Sequence, residues 1–85
     1  MVLTDVDEVG LRNAIQQLKS PLAVSAVADV TKSQDCARMV SVAQNHGAPL
    51  NLWINNAGLA RHRAIPDYSE QEIDLMLSVN LKGTI

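Results

Sequence analysis

Short apolar runs alternate with amphipathic segments along this chain. The apolar runs predict buried β-strands, and they span residues 1–4, 22–28 and 50–54. The segments with apolar side chains at helical spacing span residues 7–19, 31–46 and 69–85. The resulting order, β-α-β-α-β-loop-α with short connections, predicts right-handed βαβ units, a parallel sheet and therefore an α/β fold.

Local signals place the ends of the predicted helices. Ser20-Pro21 stops the first helix, because the residue before a proline is disfavoured in helical geometry. Thr31–Gln34 and Ser69–Glu72 each fit a capping box, in which a hydroxyl and a Gln or Glu side chain satisfy free backbone N–H groups. Gly47 fits the position just after the second helix, where a left-handed backbone is common.

The composition is that of a globular chain, with 47% hydrophobic residues, 19% charged residues and a net charge of −2. Nucleic-acid surfaces normally carry a strong basic excess, so this balance argues against a nucleic-acid partner. No apolar run approaches membrane-spanning length, and no signal peptide is recognisable. We therefore expect a cytoplasmic location and no membrane partner.

The cysteine and the histidines do not predict a redox or metal site. Cys36 is the sole cysteine, so it cannot form an internal disulfide, and its spacing suits a packed helix residue. His46 and His62 have no acidic or Cys ligands at metal-binding spacing. We therefore expect no bound metal.

Polar residues follow all three predicted strands. In parallel α/β sheets ligands bind at the carboxyl ends of the strands, which here carry Asp5, Asp29 and Asn55–Gly58. A carboxylate at Asp5 can accept two hydrogen bonds from the hydroxyls of a ribose. It would also repel a 2′-phosphate, which favours NAD over NADP. The alternative for Asp5 is a helix N-cap or first-turn acid, a role for which Asp7 and Glu8 compete.

The other two strand ends also suit a ligand. Asp29 can accept from an exocyclic amine while Val30 packs on a flat ring, or Asp29 can be a turn residue ahead of Thr31. Gly58 has no Cβ, so it can take a positive φ and let the main chain approach a ligand closely. The side chains of Asn55-Asn56 can bond to backbone groups that are freed where the strand stops.

Asn80 falls on the apolar face of the last predicted helix, seven residues after Ile73. A buried Asn needs hydrogen-bond partners. It either bonds to local backbone or a neighbouring strand, or it belongs to a reaction centre, where it or a helix irregularity holds a water. The sequence leaves both interpretations open.

Four motifs occur in a recognisable order and spacing: Val2-Leu3-Thr4-Asp5-Val6, Asp29-Val30, Asn55-Asn56-Ala57-Gly58 and Val79-Asn80-Leu81-Lys82-Gly83-Thr84. Together they resemble the short-chain dehydrogenase/reductase family over essentially the whole chain. The resemblance implies a partial Rossmann-type doubly wound parallel sheet, namely the region of strands 2 to 4 with flanking helices. Residues 1–85 would form an incomplete NAD(P)-binding domain, with the family's first strand and C-terminal half missing.

The resemblance also implies roles for individual residues. Asp5 would bind the adenosine ribose, and Asp29 and Val30 the adenine. Asn56, Ala57 and Gly58 would run past the cofactor's ribose. Asn80 would be the catalytic Asn of the family's Asn-Ser-Tyr-Lys tetrad, which holds a water in the proton relay. The implied cofactor is NAD rather than NADP, and the implied substrate is a small alcohol or carbonyl compound. A homo-oligomer is compatible with the family, which often uses the region of residues 69–85 for subunit contacts.

The chain also departs from the family pattern. It has no glycine-rich phosphate-binding turn, no strand with the catalytic Ser and no Tyr-x-x-x-Lys pair, since Tyr68 is followed four residues later by Glu72. We therefore expect an internal piece, itself inactive and poorly stable, of an NAD(P)-dependent oxidoreductase. The parent reaction would be hydride transfer between a nicotinamide and an alcohol or carbonyl carbon. The alternative is a non-catalytic truncated nucleotide-binding or subunit-interaction module.

The absence of the first strand has a geometric consequence. In the family's sheet this strand lies between the second and the fourth, so the facing strand edges would stand about 10 Å apart. Three arrangements are open: the surviving strands pair directly, the edges stay unpaired, or another chain fills the space.

Overall fold

A computed structural model describes all 85 residues and contains two strands and three helices. The strands are β1 (Val2–Asp5) and β2 (Val24–Val27). The helices are α1 (Glu8–Leu18), α2 (Ser33–Asn45) and α3 (Glu70–Asn80), with short 3-10 turns at Ile65–Asp67 and Lys82–Thr84. β1 and β2 pair in parallel over their whole length, with Val2 opposite Val24. The predicted α/β architecture with a parallel βαβ unit is therefore confirmed.

An aspartate caps the first helix. Asp7 Oδ1 accepts a hydrogen bond from the Gly10 N–H at 3.0 Å, which satisfies one of the free donors of the first turn. Asp7, rather than Asp5, therefore takes the N-cap role that the sequence left open. The helix ends at Leu18, and its C-cap residue Lys19 adopts a left-handed backbone with a φ of 49°.

The second helix begins later than predicted. The capping box at Thr31–Gln34 is wrong, because α2 begins at Ser33 without any side-chain cap. The Thr31 hydroxyl instead donates to Asp29 Oδ1 at 2.7 Å, and a hydrogen bond to an ionised carboxylate is stronger than one to a neutral backbone group. The helix end agrees with the prediction, since Gly47 follows with a left-handed φ of 94°.

The predicted third strand is not formed. Residues 47–63 make no backbone–backbone hydrogen bond, although β1 and the run at 50–54 line the same open groove of about 760 Å³. Leu52 and Ile54 are 71% and 73% exposed. The apolar pattern of this run is typical of a buried strand, but a strand also requires a hydrogen-bonded neighbour. The run at 50–54 therefore does not pair directly with β1, which contradicts the first of the three arrangements.

The core lies in the first half of the chain. The four buried residues are Leu11, Ala23, Ala28 and Met39, and all belong to the unit of β1, α1, β2 and α2, here called the βαβα unit (residues 2–45). The remainder, here called the C-terminal segment (residues 47–85), has no buried residue. The radius of gyration is 15.0 Å, against about 12 Å for a compact domain of this length. The C-terminal segment therefore lies beside the βαβα unit without closing a common core.

The helices are short, with 11 or 13 residues each. None of them combines the length and the apolar character that crossing a bilayer requires.

Candidate functional site

A cleft of about 470 Å³ lies between the carboxyl ends of β1 and β2 and the C-terminal segment. Six of the seven predicted site residues line it, namely Asp5, Asp29, Val30, Asn56, Ala57 and Gly58. The structure therefore brings together side chains from three separate motifs, as parallel strand ends would. Asn80 does not line the cleft, and its side chain bonds to Leu59, which does.

Asp5 retains an acceptor for a ligand. One carboxylate oxygen, Oδ1, accepts from the Asp7 N–H at 3.0 Å, whereas Oδ2 has no hydrogen-bond partner in the protein. The Asp5 carbonyl meanwhile accepts from the Ala28 N–H at 2.9 Å, which extends the β1–β2 ladder to the edge of the cleft. The exposed Asp5 side chain is thus held in place by its neighbours, and one of its carboxylate oxygens is still free to accept a hydrogen bond from a ligand.

Asp29 is held more firmly. Its Oδ1 accepts from both the N–H and the hydroxyl of Thr31, at 2.9 and 2.7 Å, and Lys32 Nζ lies 3.8 Å from Oδ2. The Thr31 hydroxyl and N–H, followed by Lys32 and Lys82, hold the pKa of Asp29 below its ordinary value, with partial burial opposing them. Asp29 is therefore an ionised acceptor at neutral pH. It also bonds to Thr31 as the turn residue that the sequence offered as an alternative role.

The sequence did not single out the residues that support Asp29. The Asp29 N–H donates to Asp35 Oδ2 at 2.9 Å, and Arg38 pairs with Asp35 Oδ1 at 3.1 Å. Arg38 also donates to the Val27 carbonyl at 2.6 Å, on the outer edge of β2. The position of Asp35 in the first turn of α2 was the available signal, but an acid there is common for reasons unrelated to any site.

Gly83 brings the end of the C-terminal segment against Val30. A Cβ at Gly83 would lie 2.6 Å from Val30 Cγ2 and 3.1 Å from Val30 Cβ, so any larger residue would force a shift. One side of Val30 is thereby covered by backbone, while Val30 still lines the cleft. Gly83 lies in the last of the four motifs, but its packing role is visible only in three dimensions.

The Asn55–Gly58 segment, which has no regular secondary structure, is held by its first residue. Asn55 Oδ1 accepts from the Trp53 indole N–H at 2.7 Å, and Asn55 Nδ2 donates to the Thr84 carbonyl at 3.5 Å. The expected use of a positive φ at Gly58 is wrong, because Gly47 is the sole glycine with that conformation. A Cβ at Gly58 would come no closer than an ordinary contact of 3.6 Å with Asn80 Oδ1, so the segment does not require glycine there.

Asn80 is the last residue of α3 and is exposed, whereas the sequence predicted a buried position within a longer helix. Its amide pairs with the backbone of Leu59. The Leu59 N–H donates to Asn80 Oδ1 at 2.8 Å, and Asn80 Nδ2 donates to the Leu59 carbonyl at 2.7 Å. Of the two interpretations, the geometry matches the bridge to a neighbouring backbone segment. The pairing fixes the residue that directly follows Gly58.

The family profile described as short chain dehydrogenase matches residues 1–85, which is the whole chain. The chain belongs to the short-chain dehydrogenase family. This confirms the resemblance that the four motifs carried, and the family implies a Rossmann-like fold, of which the parallel βαβ unit is a part.

Several curated proteins that are similar to this chain are named uncharacterized oxidoreductases. One from Staphylococcus epidermidis is 33% identical over 85 residues, which cover all of this chain and 36% of the relative. Two from Staphylococcus aureus strains MRSA252 and USA300 are 33% and 32% identical over the same length, and the match covers 37% of each. The chain therefore spans little more than a third of the length of these relatives.

Members of the family generally bind NAD(P), so the cleft can be tested for fit to such a cofactor. Its lining carries the carboxylates of Asp5 and Asp29 and no Lys, Arg or His side chain. Carboxylates suit the hydroxyls and the amine of adenosine, which are hydrogen-bond donors, and the apolar lining suits a flat ring. They do not suit a pyrophosphate, which needs cations or free backbone N–H groups. The residues present therefore fit the adenosine part of the cofactor and not its phosphates.

Proposed function

We propose that this chain contributes the adenosine-binding part of an NAD-dependent short-chain oxidoreductase, as an incomplete NAD(P)-binding domain over residues 1–85. The observation that carries the proposal is the convergence of Asp5, Asp29 and Val30 with the Asn55–Gly58 segment in one cleft whose lining has no basic side chain. In the whole enzyme the nicotinamide supplies or accepts the hydride, and the other reactant is a small alcohol or carbonyl compound.

Each residue of the cleft has a defined task in this proposal. Asp5 accepts hydrogen bonds from the ribose hydroxyls through its free oxygen, and Asp29 accepts from the adenine amine while Val30 packs on the ring. Asn56, Ala57 and Gly58 form the wall along which the cofactor runs. Asn80 serves the reaction by holding Leu59, and hence this wall, in place. No observation favours the alternative of a non-catalytic interaction module.

The charge of the cleft supports NAD over NADP. A 2′-phosphate would lie beside the Asp5 carboxylate with no basic side chain in the cleft lining to compensate it. Because the cleft lining has no basic side chain to bind a phosphate, adenosine should bind no more weakly than adenosine monophosphate.

Trp53 provides a direct test, because it is the sole tryptophan and lines the cleft. We expect its fluorescence to change saturably on titration with adenosine and with NAD⁺, and less readily with NADP⁺. Asp5→Asn should reduce the preference for NAD⁺ over NADP⁺ about fivefold, the effect of one unit charge at about 4 Å in water. Asp74→Asn is the matched control, since Asp74 makes no side-chain hydrogen bond or ion pair and lies outside the cleft. Equal binding of NAD⁺ and NADP⁺ by the unmodified chain would contradict the assignment of Asp5.

A further inference from the structure

Two arginines from the loop that follows Gly58 meet at one carboxylate of α3. Arg63 Nη1 lies 3.0 Å from Glu72 Oε1 and 3.2 Å from Oε2, and Arg61 Nη1 lies 3.6 Å from Oε1. The Glu72 side chain is 19% exposed, whereas the arginine side chains are 42% and 47% exposed. The carboxylate is therefore the shielded centre of this cluster, and the cations reach it from the solvent side.

Glu72 also holds the start of its own helix. Its Oε2 accepts from the Ser69 N–H at 3.0 Å, while the Glu72 N–H donates to Ser69 Oγ at 3.2 Å, which is the predicted capping box. One carboxylate thus binds the beginning of α3 and both arginines of the preceding loop. The Tyr68 hydroxyl adds a hydrogen bond to the Arg61 carbonyl within the same loop.

The loop is attached at its other end as well. Leu59 is paired with Asn80 at the end of α3, eight residues and about 12 Å of helix beyond Glu72. The chain from Leu59 to Arg63 therefore runs back along α3 and is bonded to both of its ends. Gly58, which lines the cleft, directly precedes this attached stretch.

We propose that Glu72 is a positioning residue that binds Arg61 and Arg63, aligns residues 59–63 along α3 and thereby holds the Asn55–Gly58 segment in the cleft wall. The bonds to Asn80 alone would let the loop pivot about Leu59, whereas the second attachment at Glu72 prevents this movement. The attachment itself stands on the contacts described here, and only its importance for cofactor binding rests on the proposed function.

Glu72→Gln isolates the proposed role. The amide oxygen of Gln can still accept from the Ser69 N–H, so the helix start is retained, but the charge that attracts the two guanidinium groups is lost. We expect amide hydrogen exchange at Leu59 and tryptic cleavage after Arg61 and Arg63 to accelerate about two- to fivefold, the range expected for partly exposed ion pairs. Arg63→Gln removes the tryptic site at position 63, but it should likewise accelerate amide exchange at Leu59 and cleavage after Arg61, because it breaks the same ion pair from the other partner.

The matched control is Glu8→Gln. Glu8 pairs with Arg12 at 2.9 Å on the exposed side of α1, far from the loop in sequence, so its loss should leave the exchange at Leu59 unchanged. The effect of Glu72→Gln should also disappear at low pH, because protonation of Glu72 removes the same charge from the unmodified chain. If Glu72 acted only as a helix cap, Arg63→Gln would not change the exchange at Leu59, whatever the pH dependence of Glu72→Gln.

Unchanged exchange at Leu59 in both Glu72→Gln and Arg63→Gln would overturn the proposal. A parallel titration of NAD⁺, followed by Trp53 fluorescence, separates it from the proposed function. Absence of any NAD⁺ response in the unmodified chain contradicts the proposed function, while the exchange rates still decide whether Glu72 positions the loop.

Discussion

The two halves of this chain are held together in different ways. The βαβα unit contains all four buried residues and the only strand pairing, so backbone hydrogen bonds and apolar burial stabilise it. The C-terminal segment has no buried residue, and its loop is held mainly by the side chains of Asn55, Glu72 and Asn80. The two strands of the βαβ unit pair directly with each other, whereas the apolar run at 50–54 pairs with no strand. An apolar pattern alone is therefore not enough to form a strand.

The largest expected effect comes from truncating the core of the βαβα unit. Leu11 is 6% exposed, so Leu11→Ala should destabilise the unit by about 2–4 kcal/mol, enough to unfold a chain with so small a core. The measurement is thermal unfolding followed by circular dichroism. Leu52→Ala is the matched control, and it should cost less than about 0.5 kcal/mol because that side chain lies largely in solvent. Similar losses in both variants would show that the two halves do not differ as described.

The contact between the halves at Gly83 should be the next most sensitive. Gly83→Ala places a Cβ within 2.6 Å of Val30 Cγ2, and the branched Val30 side chain cannot move aside without repacking. We expect a cost of about 1–3 kcal/mol, as for other overpacked contacts. Combining it with Val30→Ala should recover most of that loss, and a strictly additive double variant would contradict the clash.

Asn80 tests the side-chain attachment of the C-terminal segment. Asn80→Ala removes both hydrogen bonds to Leu59 and should raise amide exchange at Leu59 by the equivalent of about 1 kcal/mol, without lowering protection in β1 and β2. Asn13→Ala, at an exposed position of α1, is the control and should leave Leu59 unaffected. If protection in the sheet fell equally, the halves would open as one unit.

The smallest expected effect is the pH dependence at Asp29. Its pKa is lowered in the folded chain, chiefly by the Thr31 hydroxyl and N–H, so the folded state favours the ionised form. The resulting stability is present above the pKa of the unfolded chain, and it is lost as the pH falls through the lowered pKa of the folded chain. The melting temperatures of the unmodified chain and Asp29→Asn should therefore differ near neutral pH and converge in acid. A constant difference at all pH values would refute the assignment.

Much of the site could be anticipated from the sequence because parallel strands end at the same edge of a sheet. The polar residues after strands one and two, and those after the third apolar run, therefore pointed to one cleft, and six of the seven predicted site residues line it. The sequence did not predict the residues that hold these site residues in place. Asp35, Gly83 and Leu59 act through contacts with residues 6, 53 and 21 positions away, and no local pattern marks such partners.

The sequence by itself determined the family, the parallel βαβ unit and those helix ends that depend on signals within a few residues, such as the capping box at Ser69 and the left-handed Gly47. Only the tertiary structure decided that the run at 50–54 is unpaired and that Asn80 serves Leu59. It alone also showed that Glu72 binds two arginines as well as its own helix start. The physical reason is range: a helix cap is satisfied within one turn, whereas a strand or an exposed amide takes its partner from whatever distant segment the fold brings to it.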